Sequence, residues 1–384
     1  IVCSHTHGAG LLSLDRVLLP GGDLIPEYLG RVARTAARLI RTARDAAQPA
    51  TIVYGTGRCA LAAHRDYWDE NGQHYVCGFN PGEPADETVL VARIERDDGR
   101  PLATVVNYAC HPTTLAWQNT LISPDFPGAL REMVAESTGA PCLFLQGASG
   151  ELGPREGFVG DPAVADRNGR QLGYAVLSVL ESLPRGGTQY EYVGPVDSGA
   201  TIGVWQERPL SAAERQCEAE WAVNRGAVEV LYREDLRPIS AIEAELAECE
   251  TNAARMQSEE ADHHTAGPLR ARGERLRREL MRRRSLPQGP TFPWRADLWR
   301  MGDAVWLCIQ GEPYSLLQTA LRAQFPGTPI MVASIGYSWS VAYLPPRGSY
   351  GKGLYQESVA VAAPGSLEHT IDVLSDRIEA LLNV

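Results

Sequence analysis

The chain has 384 residues, 44% of them apolar and 22% charged, and a net charge of −11 at pH 7. That length supplies ample material for a packed core, and the acidic balance excludes a general nucleic-acid binder, whose surface would be basic. No run reaches the roughly eighteen apolar residues that cross a bilayer. The eight cysteines lack paired spacing; Cys3, Cys110, Cys142 and Cys308 fall inside apolar runs as small hydrophobes, which points to a reducing, cytoplasmic setting rather than a disulfide scaffold.

In chain order, Ile1–Cys3 reads as a short apolar strand. The chain opens on isoleucine inside that run, as a fragment or the mature part of a longer protein would. Ile25, Leu29, Val32, Ala36, Leu39 and Ala43 recur at three- and four-residue steps and predict a helix from about Leu24 to Ala47. Thr51–Tyr54, Val89–Glu95 and Leu102–Cys110 read as extended, and the last two flank Asp97-Asp98-Gly99-Arg100, a hairpin signal. Helices are predicted over Phe126–Ser137 and Pro162–Ser182, with the buried strand Cys142–Leu145 and a glycine-rich loop between them.

From Ser211 to Ser285 the chain turns charged and helical, with breaks near Gly226, Pro238 and Gly267-Pro268. Leu269, Leu276 and Leu280 form an apolar stripe among many arginines, and His263 and His264 read as surface residues. Residues 206–289 are expected to form an inserted helical hairpin or cap. Its arginine run is either a solvated, salt-bridged face or a docking surface for an acidic partner, a second copy of the chain included. A second hairpin follows across Met301-Gly302-Asp303, then a helix Ser315–Ala323, a strand Pro329–Ser334, a tyrosine-rich loop and a C-terminal helix Ser366–Leu382. The expected class is mixed α/β (α+β): a mixed sheet covered by helices, built from residues 1–205 and 290–384.

Several strand-like runs end in residues suited to a metal. The first delivers His5 and His7 on one turn, a second delivers His111, and Trp306–Ile309 delivers Glu312; the tyrosine-rich loop from Tyr337 to Tyr355 is the fourth. Neutral imidazole is the commonest zinc ligand, and a catalytic zinc takes about three protein ligands plus an open position. A carboxylate at the mouth of a buried strand needs a partner, which a metal supplies; a helix N-terminal glutamate ahead of Pro313 is the alternative for Glu312.

Six segments in order carry a further signal: Ser4-His5-Thr6-His7-Gly8, Ala109-Cys110-His111-Pro112-Thr113, Leu121–Gly128, Leu145–Pro154, Gln310-Gly311-Glu312, and Tyr343-Leu344-Pro345 followed by Tyr355-Gln356-Glu357. They resemble the catalytic domain of the neutral, non-lysosomal ceramidase family. The resemblance implies Zn2+ held by His5, His111, Glu312 and Tyr343, the last preferred to Tyr337 because its interval to Tyr355 fits the family spacing. It also implies that His7, Arg65 and Tyr355 hydrogen-bond the polar head of the substrate; a solvated loop arginine is the alternative for Arg65.

The departures matter as much. Where the family loop reads Gly-Asp-x-Ser-Pro with a nucleophilic serine, this chain has Gly150-Glu151-Leu152-Gly153-Pro154. Glycine has no side chain to attack with, and Ser149 is the neighbouring hydroxyl. With no immunoglobulin-like domain after the last helix, the expectation is a relative that keeps the metal and cleaves a small-molecule or lipid-like amide other than ceramide. Water activated by zinc would attack the carbonyl, with the oxyanion held by the metal and by Tyr355 or Arg65. His7 is the first choice of general base and Glu151 the second, while Asp125 would orient a ligand imidazole. Two other readings are a metal-dependent amidohydrolase barrel and a non-catalytic relative that binds a lipid or small molecule. The barrel would want regular βα repeats and histidines on later strands, which His64, His74, His263, His264 and His369 do not supply.

Overall fold

A computed structural model of the chain describes residues 2–258, 263–337 and 340–383. Strand Thr88–Glu95 shows why its sheet is central. Val89 and Val91 are buried on one face and Leu90 and Ala92 on the other, so helices or a second layer must cover both sides. The sheet runs Thr51–Arg58, Thr88–Glu95, Pro101–Tyr108, Cys142–Gln146, antiparallel except for the last pair, which is parallel. Helices Phe126–Thr138 and Pro162–Ser182 cover one face, where Phe126, Leu130, Leu172 and Val176 pack on Val89, Val91 and Val106.

In the second sheet, Thr291–Met301 pairs antiparallel with Trp221–Asn224 and Ala227–Leu231 on one side and Ala304–Ile309 on the other; Ile330–Ala333 closes it in parallel. Helices Leu316–Gln324 and Ser366–Leu382 bury Leu317, Leu321, Leu374 and Ile378 against Trp294, Leu298 and Leu307.

The two sheets meet edge to edge. Asn107 Nδ2 donates to the carbonyls of Leu145 and Val332, and its Oδ1 accepts from Val332 N–H. Ser334 N–H donates to the Gln146 carbonyl at 2.8 Å. Leu90, Ala92, Val105 and Met331 fill the seam. Strands from both sheets therefore end together, and the turns that follow them carry His111, the Gly147–Gly153 loop and Glu312. In open α/β sheets this carboxyl-end rim is where ligand sites assemble.

Three expectations are corrected. Val2–Cys3 is coil rather than strand, with Cys3 exposed, and Ile1 lies outside the described residues. The helical insert is narrower than 206–289: Trp221–Asn224 and Ala227–Leu231 belong to the second sheet, and only Ile239–Ser258 and His263–Ser285 form the hairpin. Among the described residues the strands build open mixed sheets, which removes the amidohydrolase barrel. The hairpin packs Ile242, Cys249, Leu276 and Leu280, and its arginine run is laced by pairs such as Arg272–Glu245, Arg277–Glu250 and Arg284–Glu243. The side chains of His263 and His264 lie outside the described residues. All eight cysteines are free, and no described helix is long and apolar enough to cross a membrane.

The first helix stands apart. It spans Ile25–Asp45, as the periodicity predicts, yet Ile25 is its only buried residue. Its apolar stripe is largely uncovered.

Candidate metal centre

His5, His7 and His111 bring ligand nitrogens within 4.8 Å of one another. Nε2 of His5 and Nε2 of His111 lie 3.2 and 2.9 Å from the same oxygen of Glu312, with the His111 side chain fully buried. His5 and Glu312 arrive on constrained backbone. His5 has φ +66, a conformation that costs a non-glycine residue of order 1 kcal/mol and persists only when its surroundings hold it. Thr6 Oγ1 donates to Ser123 O at 2.6 Å and Ser123 N–H donates to Gly8 O at 3.1 Å, which pins the turn. Glu312 follows Gly311 at φ +69, where an added Cβ would strike the Ala342 carbonyl. Its N–H donates to Ala342 O, and it pairs with Tyr343 in a two-residue parallel ladder.

The proton positions suit this cluster to a cation. Nδ1 of His111 faces the carbonyls of Ser149 and Leu152 at 2.8 and 3.0 Å, so it must carry the ring proton. Its Nε2 is then a lone pair facing a carboxylate. A second proton is disfavoured: burial first, then the charge of Arg65, holds His111 down to about 4. His7 has one solvent-exposed side, but crowding by the protein and the neighbouring His5 and His111 rings push it down as well, to about 3. Burial opposes ionisation of Glu312, and His5 and His111 outweigh it, leaving the carboxyl well below its usual range. His5 Nε2 is buried without a hydrogen-bond partner. Nitrogens and a carboxylate oxygen aimed at one point, with protonation disfavoured at His7 and His111, are what a divalent ion satisfies.

Around this cluster sit the other predicted residues. Arg65 is buried rather than solvated, 3% exposed. It donates to Gly150 O at 2.5 Å, and its guanidinium carbon lies 5.4 Å from the Tyr343 ring. Burial alone would weaken its charge, but the Tyr343 phenol, Cys77 and Glu312 more than offset that, so it stays cationic. Tyr343 is buried 6.2 Å from the His111 ring, and Tyr355, 45% exposed, stands at the rim 5.8 Å from Tyr343. Tyr337 is placed elsewhere: its hydroxyl donates to Asp297 Oδ2 at 2.6 Å.

Glu151 and Asp125 take different places from those expected. The Glu151 carboxylate accepts from Ser315 N–H at 3.0 and 2.9 Å and from the Ser315 hydroxyl, so both oxygens anchor the start of helix Leu316–Gln324 rather than face the imidazoles. Burial raises its pKa to about 7 against those hydrogen bonds. Asp125 accepts from Leu115 N–H and Phe126 N–H and caps helix Phe126–Thr138; backbone carbonyls, not a carboxylate, orient His111. Ser149 accepts from Gln146 Nε2 at 2.6 Å and lies 3.4 Å from Nδ1 of His111, on the side of the ring away from Glu312. At Gly153 an added Cβ would meet Thr113 Oγ1 at 3.7 Å and Arg65 Cδ at 4.0 Å, which is ordinary contact. Packing does not demand glycine there; what is missing is the hydroxyl.

Two contributors escaped the sequence reading. Gln356, fully buried, donates to Asp66 Oδ1 at 2.8 Å and to Gly150 O at 3.3 Å, bracing the carbonyl that Arg65 also holds. Arg282, 8% exposed on the insert hairpin, has its charge opposed by burial and supported by Tyr355, Glu279 and Glu312. The insert thus brings a buried cation within electrostatic range of Tyr355 and Glu312. No periodicity separates Arg282 from its neighbouring arginines.

No protein-family model matches the chain, and no curated protein matches it in sequence. In structure it is similar to neutral ceramidase from Pseudomonas aeruginosa, with a TM-score of 0.53 and 16% identity over 90% of this chain and 54% of that one. It is also similar to a ceramidase complexed with C2, with a TM-score of 0.51 and 16% identity over 87% of this chain and 54% of that one. The chain spans about half the length of those structures. At that identity the likeness is one of fold.

Proposed function

We propose, on the premise of a neutral-ceramidase-like fold, that this chain is a zinc-dependent hydrolase of N-acyl amides. The observation that carries the reading is the convergence of His5 Nε2 and His111 Nε2 on one Glu312 oxygen. His5, His111, Glu312 and Tyr343 would hold the zinc. In such a site the metal supplies a Lewis acid for the carbonyl and a water with pKa of about 7. His7, neutral beside it, would accept the proton of the attacking water as the C–O bond forms and pass it to the leaving amine; with a pKa of about 3 the second transfer is the downhill one. Arg65 stays charged and stabilises the negative charge that builds on the carbonyl oxygen. Tyr355, at the rim, offers its hydroxyl to the polar head of the substrate. With glycine at position 153, water attacks directly and no acyl-enzyme forms there.

The test is elemental analysis of the wild type beside His111→Ala, with a panel of N-acyl amides assayed on the same samples. About one zinc per chain, lost together with hydrolysis in the variant, is the expected result. Zinc retained in His111→Ala, or none in the wild type, overturns the metal site. Zinc without turnover on any amide overturns the hydrolase and leaves a metal-bearing binding protein. His7→Ala separates the roles: hydrolysis is lost while zinc stays.

A further inference from the structure

Two buried polar atoms beside the cluster have no hydrogen-bond partner, and both border the same place. Arg65 and Thr113 are 3% and 4% exposed, yet Arg65 Nε and Thr113 Oγ1 make no hydrogen bond. Buried polar groups are almost always paired, and one left unpaired is costly. A Cβ built on Gly153 would have Thr113 Oγ1 at 3.7 Å and Arg65 Cδ, the atom bonded to Nε, at 4.0 Å as its nearest contacts. Glycine at position 153 therefore leaves room for a small group between the two. The place adjoins the imidazoles. Thr113 N–H donates to the His111 carbonyl at 2.9 Å, and Gly153 follows Leu152, whose carbonyl accepts from Nδ1 of His111 at 3.0 Å.

The chemistry of a fitting partner follows from the two atoms. A guanidinium Nε only donates and a threonine hydroxyl can donate, so together they fit an acceptor. Charge selects an anionic one. Asp66 and Glu151 are committed elsewhere: Asp66 accepts from Gln356 Nε2 at 2.8 Å and from the Tyr314 hydroxyl at 3.4 Å, and Glu151 accepts from Ser315 N–H. Glu312 supports the charge of Arg65 and also that of Arg282, a second buried guanidinium. A cation held by His5, His111 and Glu312 would draw on that same carboxylate, which leaves positive charge in excess around a buried site. An arriving carboxylate balances it, and hydrogen bonds to an ionised acceptor are about twice as strong as neutral ones.

We propose that the space beside Gly153 takes a carboxylate of the substrate, so that the amides cleaved carry a carboxylate close to the scissile bond, as N-acyl amino acids do. The proposal rests on the amide-hydrolase reading above and adds its substrate class. Thr113 is the specificity-determining residue: its hydroxyl and Arg65 Nε–H grip the carboxylate, while Nη2 of Arg65 stays on Gly150 O.

The experiment titrates metal-stripped protein calorimetrically with N-hexanoylglycine, its neutral isostere N-hexanoylglycinamide, and N-hexylsuccinamic acid, which carries the carboxylate on the acyl side. Wild type, Gly153→Ala, Thr113→Val and Thr113→Ser are compared, with circular dichroism on each. Wild type should bind a carboxylate at least roughly tenfold more tightly than the glycinamide, and the better of the two acids tells on which side of the amide it lies. Gly153→Ala fills the space through ordinary contacts, so it should keep the fold and lose most of that preference. Thr113→Val should lose it too, and Thr113→Ser, which keeps the hydroxyl, should retain it. Zinc-loaded wild type should show the same order in kcat/KM. Equal affinities for acid and glycinamide, which would leave the space to an ordered water, overturn the proposal. So does a wild type that binds none of the three, or a preference unchanged in Gly153→Ala and Thr113→Val. Stripping the metal keeps the ligand carboxylate off zinc, so any of these failures leaves the zinc and turnover test of the hydrolase standing.

Discussion

Replacing Glu312 by glutamine tests the cluster most sharply, because the prediction reverses the usual sign. In the metal-stripped protein the Glu312 carboxylate faces the lone pair of His111 Nε2 at 2.9 Å, with the His111 proton committed to the far side of the ring, and lies 3.2 Å from His5 Nε2. A glutamine amide of the same shape donates an N–H to His111 Nε2, where carboxylate and ring nitrogen now oppose each other as two acceptors. Replacing two opposed acceptors by a buried hydrogen bond is worth about 1–3 kcal/mol. At an unfolding entropy of ~2.1 cal/mol/K per residue, this chain changes Tm by roughly 1 °C per kcal/mol. Stripped Glu312→Gln should therefore melt about 1–4 °C above the stripped wild type. Zinc reverses the order. At a thousandfold excess over Kd it stabilises the wild type by about 4 kcal/mol, or roughly 5 °C, and the variant by far less. Calorimetry of both proteins, stripped and zinc-loaded, reads all four values. A stripped variant less stable than the stripped wild type, or equal zinc stabilisation of the two, would refute the reasoning.

Other outcomes follow from the surrounding geometry. Arg65→Ala removes a buried cation bonded to Gly150 O and should cost about 3–5 kcal/mol in urea unfolding, whereas a solvated loop arginine would cost under about 0.5 kcal/mol. Gly153→Ser meets only ordinary contacts, so its midpoint should shift by less than about 1 kcal/mol; a large loss would mean that packing requires the glycine. Glu151 has a folded pKa near 7, above its value of 4.5. Its contribution to stability is therefore full at acid pH and is lost as pH rises through about 7. Glu151→Gln has no such loss, so its stability relative to wild type should improve between pH 4 and pH 8 by on the order of 1–3 kcal/mol. Parallel urea curves across that range would sink the assignment.

Periodicity carried the local structure far. The C-terminal helix Ser366–Leu382, the helix Pro162–Ser182 and both hairpins stand where the sequence patterns predict them. These elements satisfy their hydrogen bonds among near neighbours, so a short window contains their cause. Trp221–Asn224 and Ala227–Leu231 were misread as helical because each is a few residues long inside a charged stretch. Their strand character comes from pairing with Thr291–Met301, far along the chain. Val2–Cys3 differ the other way: an apolar run reads as a strand, but among the described residues neither pairs with one.

The candidate ligands were legible as residue types at strand ends. His-x-His, the histidine after Cys110 and the glutamate after Gln310 declare their chemistry in single motifs. Whether they meet was not legible. That depends on Asn107 and Ser334 joining two sheets, which brings His111 within 2.9 Å of Glu312, and on Ser123 holding the turn that carries His5. The roles of Glu151 and Asp125 were settled by the same assembly, which gave each carboxylate a helix start to hold. So was the burial of Arg65, and so was the exposure of the first helix, whose amphipathic pattern looks the same covered or bare. Sequence alone determined which side chains can bind a cation and which segments form helices, because both are properties of a residue and its neighbours. Convergence and burial were decided only by the tertiary structure, since they depend on contacts between distant segments whose closure no local pattern records.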